Sequence, residues 1–320
     1  MQNNRDLQFD IVRVIATLWI VGVWHMLDFA DAPRMWEIKG ELGYVTTCML
    51  AVFMFMSGYF LSKYTFDTKK DILFFYKKRM TRFFPLFVIS ALLLYRLGFN
   101  PRPMQLVFTL TGLSSYFGNQ SGTIWFISML FSFYLLTPFV AKALQKFKKV
   151  YIKTFVVVLF SVIFIYTLSC TSLDYDDRLT YTMPFYGLGL VLGREQIIKS
   201  LSCKWYVLLA SIVLLFVLFH FGFVGKNFLH IETVTAIILL LCVCHWLKFL
   251  PIGRTVNLLS YASMAMYLFH EQIFHLANKY ILHCYKCEVI EFYIILMPLM
   301  IVLSYLIQYI YDYCIKKINL

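Results

Sequence analysis

Apolar runs of about 20 residues, the length that crosses a bilayer as a helix, recur through this chain at 9–28, 42–62, 83–98, 121–142, 151–169, 180–195, 205–224, 229–247, 256–277 and 290–315. A chain built this way is expected to be all-α, a polytopic transmembrane bundle of about ten spans. Its 320 residues are then used up by spans and short loops, so one integral-membrane domain over residues 1–320 is expected. Composition agrees: 61% of residues are hydrophobic and 14% charged, against about 25% charged in ordinary soluble proteins. The tripeptide Ala30-Asp31-Ala32 resembles a signal-peptidase site, but the run before it is too long and carries His25 and Asp28, so it reads as a retained helix.

Most of the 29 Lys and Arg fall on segments that lie inside if the N-terminus is inside. The positive-inside tendency therefore predicts both termini cytoplasmic. The formal net charge of +12 reflects that bias together with contact to anionic headgroups. The bilayer is the expected partner and nucleic acid is not.

Ionisable groups inside apolar runs are costly, and the first run has Asp10 and Arg13 at one end and His25 and Asp28 at the other. At 1.5 Å per residue, Arg13 and His25 stand roughly 18 Å apart along the axis. His25 and Asp28 are three apart and share a face. A carboxylate beside an imidazole orients the ring and stabilises its protonated form, which is general-base machinery; the bland alternative is a span ending in the headgroup region. Arg79 and Arg82 also share a face, in a basic inner loop from Lys63 to Arg82, with Pro85 suited to the first turn of the next span. Two forked guanidiniums fit phosphate oxygens, and equally they enforce topology.

Ser121 and Trp125, four apart, can line one face of a cavity, although interfacial Trp is common. In the ninth run, Tyr267, His270 and Glu271 follow Ser260-Tyr261 and put a second imidazole at the depth of His25. Gly187, Gly189 and Gly193 read as helix packing. His220, His230, Glu232 and His245 fall at span ends. Of eight cysteines, Cys48, Cys242 and Cys244 sit in apolar runs as small hydrophobes. Cys284 and Cys287, beside His283, suit a loop disulfide or a metal contact, but the loop supplies no fourth ligand, and no metal centre is predicted.

Taken in order, these segments resemble the membrane acyltransferase 3 family, which O-acylates bacterial surface sugars. Phe9-Asp10-Ile-Val-Arg13-Val-Ile-Ala resembles its opening L-D-x-L-R-x-I-A, and Val52-Phe-Met-Phe-Met-Ser57-Gly58-Tyr-Phe-Leu61 its F-F-x-L-S-G-F-L-L. Arg79-Met-Thr-Arg82-Phe-Phe-Pro85 matches R-x-x-R followed by Pro. Trp125-Phe-Ile-Ser128 with Tyr134 is similar to W-F-L-S-x-L-x-x-Y, and Ser260-Tyr261 through His270 to the late L-S-Y-S-I-Y-L-x-H.

The resemblance implies a multi-pass protein of the bacterial inner membrane. It implies an acyl-CoA donor, commonly acetyl-CoA, entering from the cytoplasm, a glycan acceptor, and other polysaccharide-assembly proteins as partners. Arg13, Arg79 and Arg82 would grip CoA phosphates. His25 with Asp28 would be the base, and Ser121, Trp125, Tyr267, His270 and Glu271 would contact substrate. One departure stands out, because the family usually has ten residues between this Arg and His and here there are eleven. The extra residue turns His25 roughly 120° from Arg13; a π-bulge around Gly22 to Trp24 would restore the alignment. A transporter or flippase of a lipid-linked sugar is the competing class, which ten spans with buried charges also describe, and no internal repeat between halves supports it.

Overall fold

A computed structural model of the chain describes residues 6–99, 102–117, 122–171, 173–195, 197–220 and 229–317. It is helical almost throughout. In chain order the helices are α1 (Leu7–Trp19), α2 (Met26–Phe29), α3 (Pro33–Glu37), α4 (Lys39–Leu61), α5 (Lys69–Arg96), α6 (Pro103–Thr111), α7 (Trp125–Gln145) and α8 (Val150–Ser169). They continue as α9 (Asp177–Leu192), α10 (Ile197–Ser202), α11 (Trp205–His220), α12 (Leu229–Leu247), α13 (Gly253–Tyr280), α14 (Val289–Glu291) and α15 (Met297–Lys317).

All ten apolar runs fall on helices. Six helical segments, Leu7–Phe29, Lys39–Leu61, Trp125–Gln145, Val150–Ser169, Leu229–Leu247 and Val289–Lys317, are long and apolar enough to cross a membrane. The runs at 83–98, 180–195, 205–224 and 256–277 lie on helices outside that group. Of these, α9 and α11 have 16 residues each, while α5 and α13 have 28 but carry charged turns. Residues 221–224 of the seventh run lie outside the described residues.

The basic stretch before Pro85 differs from its expected form. It is a loop only as far as Thr68, and α5 then runs unbroken through Arg79, Arg82 and Pro85. A capping box sets that start. The Thr68 side chain accepts from the Asp71 backbone N–H, and the Asp71 carboxylate accepts from the Thr68 N–H at 2.8 Å. These bonds hold the Asp71 carboxyl below its ordinary range. Satisfying the first-turn donors early places Pro85 in the helix interior, where its missing N–H leaves one backbone acceptor unused.

The described residues form two compact units. The first is built from residues up to Phe53 and from Ile198 onward; the second runs from Met54 to Ile197. In the first, α13 packs against α1 and α15, and α12 against α1 and α11. Val21, Leu27, Met266, Phe274, Phe292 and Leu296 belong to its buried core, which joins the stretch around His25 to the last third of the chain. A two-residue parallel pairing joins β1 (Ala30–Asp31) to β2 (Cys287–Glu288).

In the second unit, α5, α6 and α7 pack on one another, and α9 packs on α7 and α8. The end of α4 lies against α9 through glycines on both sides. A Cβ on Gly58 would meet the Tyr186 carbonyl, one on Gly189 the Phe55 carbonyl, and one on Gly193 the Tyr59 carbonyl. Lipid gives helices little hydrophobic reason to associate, so such backbone-to-backbone approach supplies much of the packing. Gly189→Val is expected to cost about 3 kcal/mol or more of stability, read as a lowered thermal midpoint in detergent. Gly40→Ala, where a Cβ meets nothing within 4 Å, is expected to stay within about 0.5 kcal/mol.

Candidate functional site

In the first unit, the helix carrying Arg13 changes character after Trp19. Residues Ile20–Trp24 form a π-helical turn, closed by the His25 N–H donating to the Ile20 carbonyl at 3.0 Å. This i→i+5 bond takes up one residue more than an α-turn. The expectation of a bulge near Gly22 is met, with the turn beginning two residues earlier. The Gly22 carbonyl accepts from the Tyr293 hydroxyl at 2.9 Å, and Tyr293 itself sits in a second π-turn, Phe292–Leu296.

His25 follows directly. Its Nδ1 lies 3.3 Å from Asp28 Oδ2, with the His25 side chain 13% exposed and that of Asp28 50%. The ring of His270 is 4.6 Å from that of His25, centroid to centroid. Two imidazoles 245 positions apart in the chain therefore meet at one depth, as the sequence suggested. His270 is fully buried, and its Nδ1 lies 2.8 Å from the Tyr267 carbonyl. A carbonyl only accepts, so the proton sits on Nδ1 and Nε2 presents a lone pair. That Nε2 is buried and has no hydrogen-bond partner among the described residues. Tyr267 and Glu271 are buried on the same helix.

The turn bearing Asp28 is held from the far end of the chain. Asn278 Nδ2 donates to the Phe29 carbonyl and Lys286 Nζ to the Leu27 carbonyl, each at 2.9 Å. Cys287 donates its thiol to Phe29 O at 3.5 Å. Burial, reinforced by the neighbouring Cys284, pushes the Cys287 thiol up to about 11, so as a free thiol it stays protonated at neutral pH. Neither Asn278 nor Lys286 stands out in the sequence; both are ordinary polar residues after an apolar run.

Arg13 is already engaged. Its Nη1 donates to Ser260 Oγ at 3.1 Å and lies 3.3 Å from Asp10 Oδ1, which also accepts from Ser260 Oγ at 2.6 Å. The sequence offered Asp10 three residues before Arg13, but nothing announced Ser260 as their partner.

In the second unit, the Arg79 guanidinium lies 5.5 Å from the ring of Tyr64, 6.0 Å from Phe75 and 5.8 Å from Tyr134. Its Nε is buried without a hydrogen-bond partner. Among the described residues no carboxylate pairs with Arg79 or with the exposed Arg82 one turn on. Such an aromatic cage holds a cation in place without neutralising it. Trp125 is buried, and the Arg178 guanidinium covers one face of its ring at 3.7 Å. Arg178 in turn grips Asp176 through Nε at 2.8 Å and Nη2 at 2.7 Å. Ser121 lies outside the described residues. The polar loop around Asp174 to Arg178 thus carries a structural pair that sequence reading left unassigned, although a carboxylate two residues before an Arg at a helix start is a recognisable capping signal.

Among families of known proteins, a model described as an acyltransferase domain matches residues 6–309. No curated protein matches, and no solved structure does.

The bond from Ser260 to Asp10 gives a direct test. Ser260→Ala removes a hydrogen bond to a buried carboxylate, worth about 1.5–3 kcal/mol, and should lower the unfolding midpoint of the purified protein. Ser263→Ala removes only a bond from Ser263 Oγ to the Ser260 carbonyl and should cost about 1 kcal/mol or less.

Proposed function

This chain belongs to the acyltransferase 3 family, and on that premise we propose that it is a multi-pass membrane O-acyltransferase moving an acyl group, most simply acetyl, from acyl-CoA to a sugar hydroxyl of a surface or lipid-linked glycan. The observation that carries this reading is the pairing of His25 with Asp28 beside a second imidazole, His270.

Asp28 orients His25 through Nδ1, leaving Nε2 to take the proton of the acceptor hydroxyl. The hydroxyl oxygen attacks the thioester carbonyl carbon, the oxyanion collapses, and the carbon–sulfur bond breaks. The proton held at His25 Nε2 then passes to the departing thiolate, so the base is restored. Direct transfer needs no acyl-enzyme. Trp125 and Ser121 are assigned to substrate contact near the oxyanion, and Tyr267, His270 and Glu271 to the acceptor.

Arg79 and Arg82 are assigned to the donor's phosphates, on the strength of Arg79's caged, carboxylate-free guanidinium. Arg13 adds less, because Asp10 already shares its charge. The positive-inside bias favours a cytoplasmic donor and cytoplasmic termini, in an inner membrane whose bilayer is the protein's immediate surroundings.

The test is transfer from radiolabelled acetyl-CoA to cell-surface glycan in membranes carrying wild type, His25→Ala or Arg79→Ala/Arg82→Ala at matched expression. Glycan label is expected to fall at least about 100-fold for His25→Ala. The double arginine variant should recover part of its rate at high donor concentration. Full labelling by the His25 variant would remove it as the base, and an acyl adduct trapped on a Ser or Cys would replace direct transfer by a covalent route.

A further inference from the structure

Within the second unit, the C-terminal ends of α4, α7 and α9 and the N-terminal end of α8 border a cleft whose polar lining is Ser62, Tyr64, Gln145, Lys153 and Arg194. The nitrogens that reach it are donors. Arg194 gives Nε to the Ser62 carbonyl at 2.7 Å and Nη2 to the Tyr64 carbonyl at 3.3 Å. Lys153 Nζ lies 3.2 Å from Glu195 Oε1. Gln145 Nε2 is buried with no hydrogen-bond partner among the described residues.

Tyr64 extends this character outward. Its ring lies 5.7 Å from Lys78 Nζ and 5.5 Å from the Arg79 guanidinium, and Arg79 Nε is the second buried donor without a partner. A ligand completing these groups has to bring acceptors.

Charge decides its sign. Helix C-termini contribute roughly half a negative charge each, and the α8 N-terminus about half a positive one. Lys153 and Arg194 line the cleft and offset these ends and the carboxylate of Glu195, and Lys78 and Arg79, against the ring of Tyr64, add positive charge beside it. That disfavours a cation and suits a dianion.

We propose that this cleft is a phosphate-monoester subsite, with Arg194, Lys153 and Gln145 as its ligands. Resting on the reading of acyl-CoA as donor, the group it takes is the 3′-phosphate of CoA. The headgroup of phosphatidic acid offers the same chemistry from the bilayer.

The full chain in phosphatidylcholine nanodiscs distinguishes the sources. Titration with CoA and with 3′-dephospho-CoA is run on wild type, Lys153→Gln, Arg194→Gln and Gln145→Leu, and thermal midpoints are compared in discs with and without phosphatidic acid. Gln145→Leu breaks no ion pair and keeps the test decisive if Arg194→Gln does not fold. Wild type is expected to bind CoA about tenfold tighter than the dephospho form, with that preference lost in the variants and dephospho-CoA affinity unchanged. If neither nucleotide binds but phosphatidic acid raises the midpoint of wild type and not of the variants, the subsite stands with lipid as its source and the acyl-CoA reading falls. Equal binding of both nucleotides, with variants responding to phosphatidic acid as wild type does, overturns the subsite and leaves the donor reading standing. Absence of every response also overturns it.

Discussion

A polar group surrounded by apolar helices and lipid has no water to fall back on, so each one must find its partner within the protein. Much of this structure follows from that requirement. Asp10 is held by Arg13 and Ser260, Asp176 by a two-pronged Arg178, and Lys153 by Glu195. Several buried polar atoms have no such partner among the described residues, His270 Nε2, Arg79 Nε and Gln145 Nε2 among them, and an orphaned buried group costs about 1–3 kcal/mol.

Periodicity and spacing carried the sequence far. The described parts of the ten apolar runs lie largely on helices because each run is continuous. The eleven residues between Arg13 and His25, one too many for an aligned α-helix, called for a π-turn, and one forms at Ile20–Trp24. What stayed hidden depends on contacts with no sequence spacing. Ser260 lies 250 residues from Asp10, and no local pattern links them. Trp125 offered either a cavity lining or an interfacial belt, and no spacing linked it to Arg178, whose guanidinium stacks on its ring. Pro85 suggested a helix start, but the capping box at Thr68 and Asp71 had already begun the helix. A strong cap, with its donors satisfied, outweighs a proline that the helix interior can absorb.

The two kinds of chemistry also separate along the chain. Groups suited to moving a proton, His25, Asp28 and His270, belong to the first unit. Arg79 and Arg82, which no carboxylate pairs with among the described residues, belong to the second. α4 runs through the boundary between the two units at Phe53. Within the second unit, the glycines at 58, 189 and 193 bring its far end against α9 by backbone contact.

The clamp on the Asp28 turn has a consequence for biogenesis. Phe29 receives its hydrogen bond from Asn278, 249 residues later. At roughly 5–20 residues per second, a ribosome needs on the order of 12–50 seconds to cover that interval. Throughout it, the first span waits in the membrane with an imidazole and a carboxylate lacking their final neighbours. Truncated chains therefore carry His25 and Asp28 without the bonds from Asn278 and Lys286 that hold their turn. An insertion chaperone or a membrane protease would meet this protein first at its N-terminal helix, and the last helices to be made decide whether that helix survives.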